Sequence, residues 1–232
     1  EEILAVFAMP HLAVEGLFTH FSVADSLLPA DVAYTKAQYQ SFVAVADALA
    51  AVNKRPEICH CCNSGGTIAY PEFAMDMVRP GVATYGVAPS AALDGMLDLK
   101  PLMSLRTTIS QIRDFPAGTS VGYGRAYETA APRRLAVVGI GYADGLSRLF
   151  SGRIQFLLHG KKVPVVGNIC MDMCMVDVSD VPEAKVGDVA TVFGGSGRAE
   201  ISVNDVAEQL GTISYDILCG INKRIPRIYL DG

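Results

Sequence analysis

Charge is scarce in this chain. Only 19% of its 232 residues are Asp, Glu, Lys or Arg, while half are hydrophobic. That composition excludes a disordered polypeptide, which lacks the apolar material needed to offset the entropy of ordering. A basic excess is also missing, because the formal net charge is −5, whereas a protein built to coat nucleic acid needs the opposite balance. No run reaches the ~20 apolar residues of a membrane-spanning helix, and no signal peptide opens the chain. The expectation is a soluble cytoplasmic enzyme, without nucleic acid or membrane as partner. Its length allows one large domain or two ordinary ones.

The six cysteines do not form a metal knuckle by spacing. If "EICHCCNS" is a strand, Cys59 and Cys61 face one side and His60 and Cys62 the other. Four such ligands cannot converge on a tetrahedral zinc, and no paired C-x-x-C lies elsewhere. Cys170 and Cys174, in "CMDMC", fare no better. The expectation is no metal, no disulfide, and small buried thiols.

The first hundred residues alternate short apolar runs with helical text. "EGLFTHFS" reads as a strand and its loop. "DVAYTKAQYQSFVAVADALAAV" reads as a helix with Asp31 as N-cap. "PEICHCCNS" is a second strand, "GGTIAYPEFA" a short helix, and "DMVRPG" a third strand with its turn. This is the rhythm of a parallel α/β fold. After about Lys100 the text becomes dense in short β-branched runs: "LMSLRTTISQIRDF", "RRLAVVGIGY", "GRIQFLLHGKKVPVVG", "ICMDMCMVDVSD" and "GDVATVFGG". "LLHGKKVPV" reads as a hairpin with His-Gly-Lys-Lys at its tip, and "SVNDVAEQL" as a helix opened by Ser202 and closed by Gly211. Such strand density predicts a β-barrel or sandwich. The boundary falls near residues 95–103, giving domains 1–100 and 101–232.

The three early strands deliver polar residues where they end: Thr19 and His20, then Asn63 and Ser64, then Arg79. In a (β/α)8 barrel that rim carries the chemistry, but only about three strand–helix units fit here against eight for a closed barrel. An open sheet or an absent N-terminal portion would explain the shortfall, and the second is preferred. The stretch "RPGVATYG" joins an arginine to a glycine turn. It reads either as an ordinary turn with a surface arginine or as a backbone anion site beside a fixed cation.

Several blocks together resemble the pyridoxal-phosphate-dependent alanine racemases: "GLFTHFSVAD", "HCCNSGG", "VRPGVATYGVAPS", "VGYGRAY", "GIGYADGLSR", "VGNICMDMCMVDV" and "SYDILCGINKRIPRIY". They occur in family order along nearly the whole chain. The resemblance implies an α/β plus all-β fold, the C-terminal part of a cofactor-binding (β/α)8 barrel followed by a β-rich, barrel-like domain. It also implies that the barrel segment bearing the cofactor-binding lysine lies outside this sequence, so that the chain alone is inactive.

By the same resemblance, Arg79 contacts the pyridine nitrogen of pyridoxal 5′-phosphate. The amides of Gly81 and Val82, the Ser64 hydroxyl and the Tyr215 phenol hold the phosphate. Ser64 has a second reading as a helix N-cap. Tyr123 is the base for one face of Cα, supported by a network of His20, Arg79 and His60. Read without the resemblance, Tyr123 between two glycines is a turn aromatic. Tyr142 narrows the substrate entrance, while Met171 and Asp172 approach the substrate from the other subunit of a homodimer. Arg148 lies near the entrance or is a surface residue, and Lys161 and Lys162 are solvated charges. The implied reaction interconverts L- and D-alanine, supplying D-alanine for peptidoglycan. Alternatives are racemisation of serine or another small amino acid, and a non-catalytic dimerising remnant. A barrel decarboxylase is disfavoured, since an acidic partner for the ring nitrogen is expected there.

Overall fold

The computed structural model describes residues 1–196 and 199–230. The chain divides into two compact units, Glu1–Lys100 and a second from Pro101 onward.

In the first unit, helix α1 (Glu2–Phe7) precedes strand β1 (Gly16–Phe18), helix α2 (Pro29–Ala51), strand β2 (Ile58–His60) and helix α3 (Ser64–Ala69). The strands pair in parallel, Gly16 with Ile58 through Phe18 with His60, and α2 supplies the long crossover that parallel pairing requires. The core gathers Phe21, Phe42, Ala46, Cys59, Cys61, Cys62, Tyr70 and Phe73, with Tyr39 stacked on Phe73 at 4.0 Å.

Three local expectations are corrected here. Helix α2 starts at Pro29, whose fixed φ suits the first helical position, so Asp31 lies inside the first turn and accepts a hydrogen bond from Ser26 Oγ at 2.6 Å. "DMVRPG" is not a strand. It runs beside β2 and the loop that follows: Asp76 N–H donates to the Cys59 carbonyl at 3.0 Å, Cys59 N–H to Asp76 Oδ2 at 2.8 Å, and Arg79 N–H to the Cys62 carbonyl, past the end of β2, at 2.8 Å. Pro80 has no N–H with which to continue a ladder. The alternation across "CHCC" also fails, because β2 ends at His60 and both Cys61 and Cys62 turn inward as buried free thiols. Burial pushes the Cys62 thiol up to about 12.

The second unit contains β3 (Leu105–Phe115), the short hairpin strands β4 (Ser120–Val121) and β5 (Tyr127–Glu128), then β6 (Arg133–Val138) and β7 (Gln155–Leu158). β8 (Lys161–Val166), β9 (Cys174–Asp177), β10 (Val189–Ser196) and β11 (Ala199–Ile201) follow, and helices α4 (Val203–Glu208) and α5 (Ser214–Gly220) close the order. The sheet runs β11-β10-β3-β6-β9-β8-β7, and β10 pairs again with β7. Six strands, β10-β3-β6-β9-β8-β7, therefore close into a barrel, with β11 appended. Strand β10 serves three neighbours because different positions pair with different strands, Ala190 and Thr191 with β7 and Gly194 and Gly195 with β11, beside β3. Its register against β3 shifts between Thr191 and Phe193, and such a bulge bends a strand.

Leu105, Thr107 and Ile109 of β3 point inward while Arg106, Thr108 and Ser110 point out. Phe156, Val163, Val165, Cys174, Val176, Ala190 and Phe193 complete an apolar interior. Each large side chain so buried contributes roughly 1.5–3 kcal/mol. The β7–β8 turn is only His159-Gly160, with both residues at positive φ. Lys161 and Lys162 belong to β8 rather than to the tip, and both are exposed. Helix α4 opens as expected, with Ser202 and Asp205 forming a reciprocal capping box.

Candidate active site

In the first unit, Arg79 is the centre of a polar cluster at the ends of β1 and β2. Its Nη1 donates to His60 Nδ1, and its Nη2 donates to the Thr19 carbonyl at 3.0 Å and lies 3.3 Å from His20 Nδ1. The guanidinium carbon sits 5.2 Å from the centre of the Phe18 ring, which also stacks on His60 at 5.5 Å. Burial, and then the Arg79 charge, lower the His60 pKa. His60 is thus a neutral imidazole that accepts on Nδ1 and carries its proton on Nε2. His20 is exposed, with Asn63 Nδ2 at 3.4 Å from its Nε2. A neutral ring accepts on one nitrogen only, so the Arg79 and Asn63 donors compete for it.

The arginine is therefore held by imidazoles and a carbonyl. Among the described residues no carboxylate lies within ion-pair distance of it, and no acceptor lies on its Nε–H. Gln38 of α2 steadies the loop after β1, donating to the His20 carbonyl at 2.8 Å and to Thr19 Oγ1 at 3.2 Å.

Beside this cluster, Asn63 rather than Ser64 caps α3, accepting from the Gly66 N–H at 2.9 Å. Ser64 is fully buried, and its Oγ accepts from the Ala83 N–H at 3.2 Å, which leaves its hydroxyl proton to donate. The expectation of two free amides is corrected at Gly81, whose N–H turns back onto the Arg79 carbonyl at 2.9 Å. A side chain at Gly81 would meet nothing within 4 Å, so the backbone there borders open space. The neighbouring Val82 N–H has no hydrogen-bond acceptor among the described residues.

The second unit brings Tyr142, Met171 and Asp172 together. Tyr142 N–H donates to the Cys170 carbonyl and Ala143 N–H to the Met171 carbonyl, each at 3.0 Å. Gly141 makes this close approach possible, because a Cβ there would collide with the carbonyl oxygens of Cys170 and Met171. Tyr142 and Met171 remain exposed. Asp172 is ion-paired with Arg224 at 2.7 Å, and Arg224 also meets the buried Asp144 at 2.6 Å. Tyr123 lies in the turn between β4 and β5. Flanked by Gly122 and Gly124 at positive φ, it is 73% exposed, and its carbonyl accepts from Asn168 Nδ2 at 2.7 Å. Tyr215 lies half-buried on α5, and Arg148 is exposed in a single helical turn.

Phe18, Gln38, Asn168, Asp144 and Arg224 escaped the sequence reading as site residues. Only Asp144 carried a local signal, since it forms a capping pair with Gly141, donor N–H to carboxylate at 2.8 Å.

Comparison with known proteins gives consistent results. Residues 1–89 match the model for the alanine racemase N-terminal domain, and residues 102–229 match that for the alanine racemase C-terminal domain. The alanine racemase of Desulfosudis oleivorans is 45% identical over 233 aligned residues, covering 100% of this chain and 59% of the relative. That of Desulfovibrio desulfuricans is 42% identical, covering 97% of this chain and 59% of the relative. Among solved structures, the alanine racemase of Clostridium difficile 630 in complex with cycloserine superposes with a TM-score of 0.89. It is 34% identical and covers 99% of this chain and 60% of that one. The Bacillus anthracis alanine racemase with bound L-Ala-P gives a TM-score of 0.89 at 33% identity, covering 99% and 58%. The chain thus spans about three-fifths of the length of its relatives, 59% in the first two. It belongs to the alanine racemase family, whose members depend on pyridoxal phosphate.

Proposed function

We propose that this chain is the C-terminal three-fifths of an alanine racemase, with residues 1–100 completing a (β/α)8 barrel and residues 101–232 forming the second domain. The observation that carries the reading is the company Arg79 keeps: neutral imidazole and backbone carbonyl, no carboxylate, and one Nε–H left over. The donor set suits pyridoxal phosphate. A phosphate would be taken by the Ser64 hydroxyl and the Val82 N–H beside the open side of Gly81. The planar ring would be met at its nitrogen by Arg79.

When bound, the cofactor supplies an electron-withdrawing ring that loosens the Cα proton of an amino acid. The chain's own residues then decide the outcome. Arg79 never releases its proton, so it would donate to the ring nitrogen without protonating it and keep the ring's draw on electrons moderate. A carboxylic acid at that place would favour longer charge delocalisation and side reactions. Racemisation requires proton removal on one face of Cα and delivery on the other. Tyr123 serves one face through its phenol oxygen. A lysine outside this sequence serves the other. His20 and His60 hold Arg79 in place, and His60, neutral, adds no second charge beside it. Tyr142, Met171 and Asp172 shape the substrate entrance. In the whole protein two subunits share each site, Tyr123 reaching the partner's barrel. Cytoplasmic supply of D-alanine for peptidoglycan is the role that follows.

The test is direct. The 232-residue chain alone should neither bind the cofactor through a lysine nor racemise alanine, and the protein extended by the missing barrel segment should do both. Alanine turnover by the isolated chain, with a lysine-bound cofactor absorbance, would overturn the assignment of the second base.

A further inference from the structure

Arg224 joins parts of the second unit that lie far apart in sequence. Its Nε donates to Asp144 Oδ1 at 2.6 Å across 80 positions, and its Nη2 to Asp172 Oδ1 at 2.7 Å across 52 positions. Asp144 is 5% exposed, and its second oxygen accepts the Gly141 N–H at 2.8 Å. The carbonyl of Asp144 takes the Asn222 N–H at 2.9 Å. The loop that carries Arg224 is itself pinned by Arg227, which donates to the carbonyls of Asn222, Ile225 and Ile221 at 3.0, 2.7 and 3.1 Å. Arg224 N–H adds a bond to Asn222 Oδ1 at 2.9 Å. The guanidinium is thus preorganised, and its planar fork can reach two carboxylates at once.

Two consequences converge on one place. Asp144 anchors the turn that bears Tyr142, and Asp172 follows Met171 directly, so one guanidinium ties the two exposed side chains, Tyr142 and Met171, to a common support. It also neutralises Asp172. An uncompensated carboxylate beside Met171 would repel an incoming amino acid, whose own carboxylate is negative. Resting on the racemase reading, we propose that Arg224 is the positioning residue of the substrate entrance, setting the Tyr142–Met171 pair and masking the Asp172 charge from the substrate carboxylate. Asp172 thereby acts as a structural anion rather than a substrate ligand.

The experiment uses the full-length racemase. Arg224→Ala should raise KM for alanine about tenfold, the size of coupling expected between contacting charges, while kcat stays within about threefold. Asp172→Asn placed in the Arg224→Ala background should recover a good part of that KM, because it removes the unmasked charge. Arg224→Lys, which keeps a cation beside buried Asp144 but cannot fork to both carboxylates, should fall between wild type and Arg224→Ala, and it tests the idea should the alanine variant fail to fold. Hydrogen exchange should quicken at the Tyr142 and Ala143 amides with the barrel strands unchanged. A wild-type KM in Arg224→Ala, a double variant no better than the single one, or exchange quickened throughout the barrel would overturn the proposal. Absence of racemisation by the parent enzyme would strike the racemase reading instead, and the exchange measurement would still judge the Arg224 clasp.

Discussion

Arg79 donates to Nδ1 of His60, and the acceptor is a neutral imidazole where a half-buried guanidinium more commonly meets a carboxylate. The pairing fixes the ring tautomer and leaves the cation uncompensated. On the proposed racemase reading, such a cation would meet a ring nitrogen without supplying a proton to it.

Replacing Arg79 by glutamate should convert that donor into a group able to share a proton with the ring nitrogen. Racemisation should fall while transamination rises, read as pyruvate released per alanine turned over. A drop in rate with no change in this ratio would reduce Arg79 to a structural contact.

Tyr123→Phe keeps the ring and should leave stability almost unchanged, since the side chain is 73% exposed in this chain. Loss of a positioned acid–base group costs about two to four orders of magnitude. The loss should be one-sided. Deuterium uptake into one enantiomer of alanine should persist through the lysine, while uptake into the other should nearly stop. Equal slowing of both would assign Tyr123 to pocket shape alone.

Gly141→Ala places a methyl against the Cys170 and Met171 carbonyls, which are backbone and cannot swing aside. The "CMDM" loop must then move, so kcat/KM should drop by about a hundredfold. The barrel strands should keep their protection in hydrogen exchange.

Asp144→Ala removes the acceptor of both Arg224 Nε and Gly141 N–H. Because Arg224 remains half-exposed, the loss should be about 2 kcal/mol, measured as a lower denaturation midpoint in urea. Asn, which keeps an acceptor, should be milder.

His60 binds a proton less readily folded than unfolded, because burial and Arg79 lower its pKa. The stability it contributes is present above the unfolded imidazole value of ~6.5 and is lost as pH falls through the lower folded value. Melting temperature should therefore decline on acidification from pH ~7 toward pH ~5. In His60→Gln the decline should be shallower. An identical pH profile in the variant would place the acid sensitivity elsewhere.

Local signals were readable from the sequence alone. The helix start at Ser202, the strand in "LMSLRTTISQIRDF" and the hairpin in "LLHGKKVPV" each rest on neighbours within a few residues, where short-range sterics and hydrogen bonding decide. So did the ends of β1 and β2, whose polar residues, with Arg79, marked the cluster in advance. The order of the blocks was enough to reveal the family.

Tertiary structure decided what depends on distant partners. "DMVRPG" has the composition of a strand, yet only one backbone–backbone bond, from Asp76 N–H to the Cys59 carbonyl, joins it to β2. The capping duty passed from Ser64 to Asn63, and the Gly81 amide was taken by the Arg79 carbonyl. Closure of the six-stranded barrel rests on Ala190 and Thr191 of β10 pairing with Leu158 and Leu157 of β7, which no periodicity announces. Arg224 meets Asp144 across 80 positions and Asp172 across 52, and a sequence holds no record of such meetings. Hydrogen bonds and ion pairs act over a few ångströms, and only the folded path of the chain determines which side chains come that close.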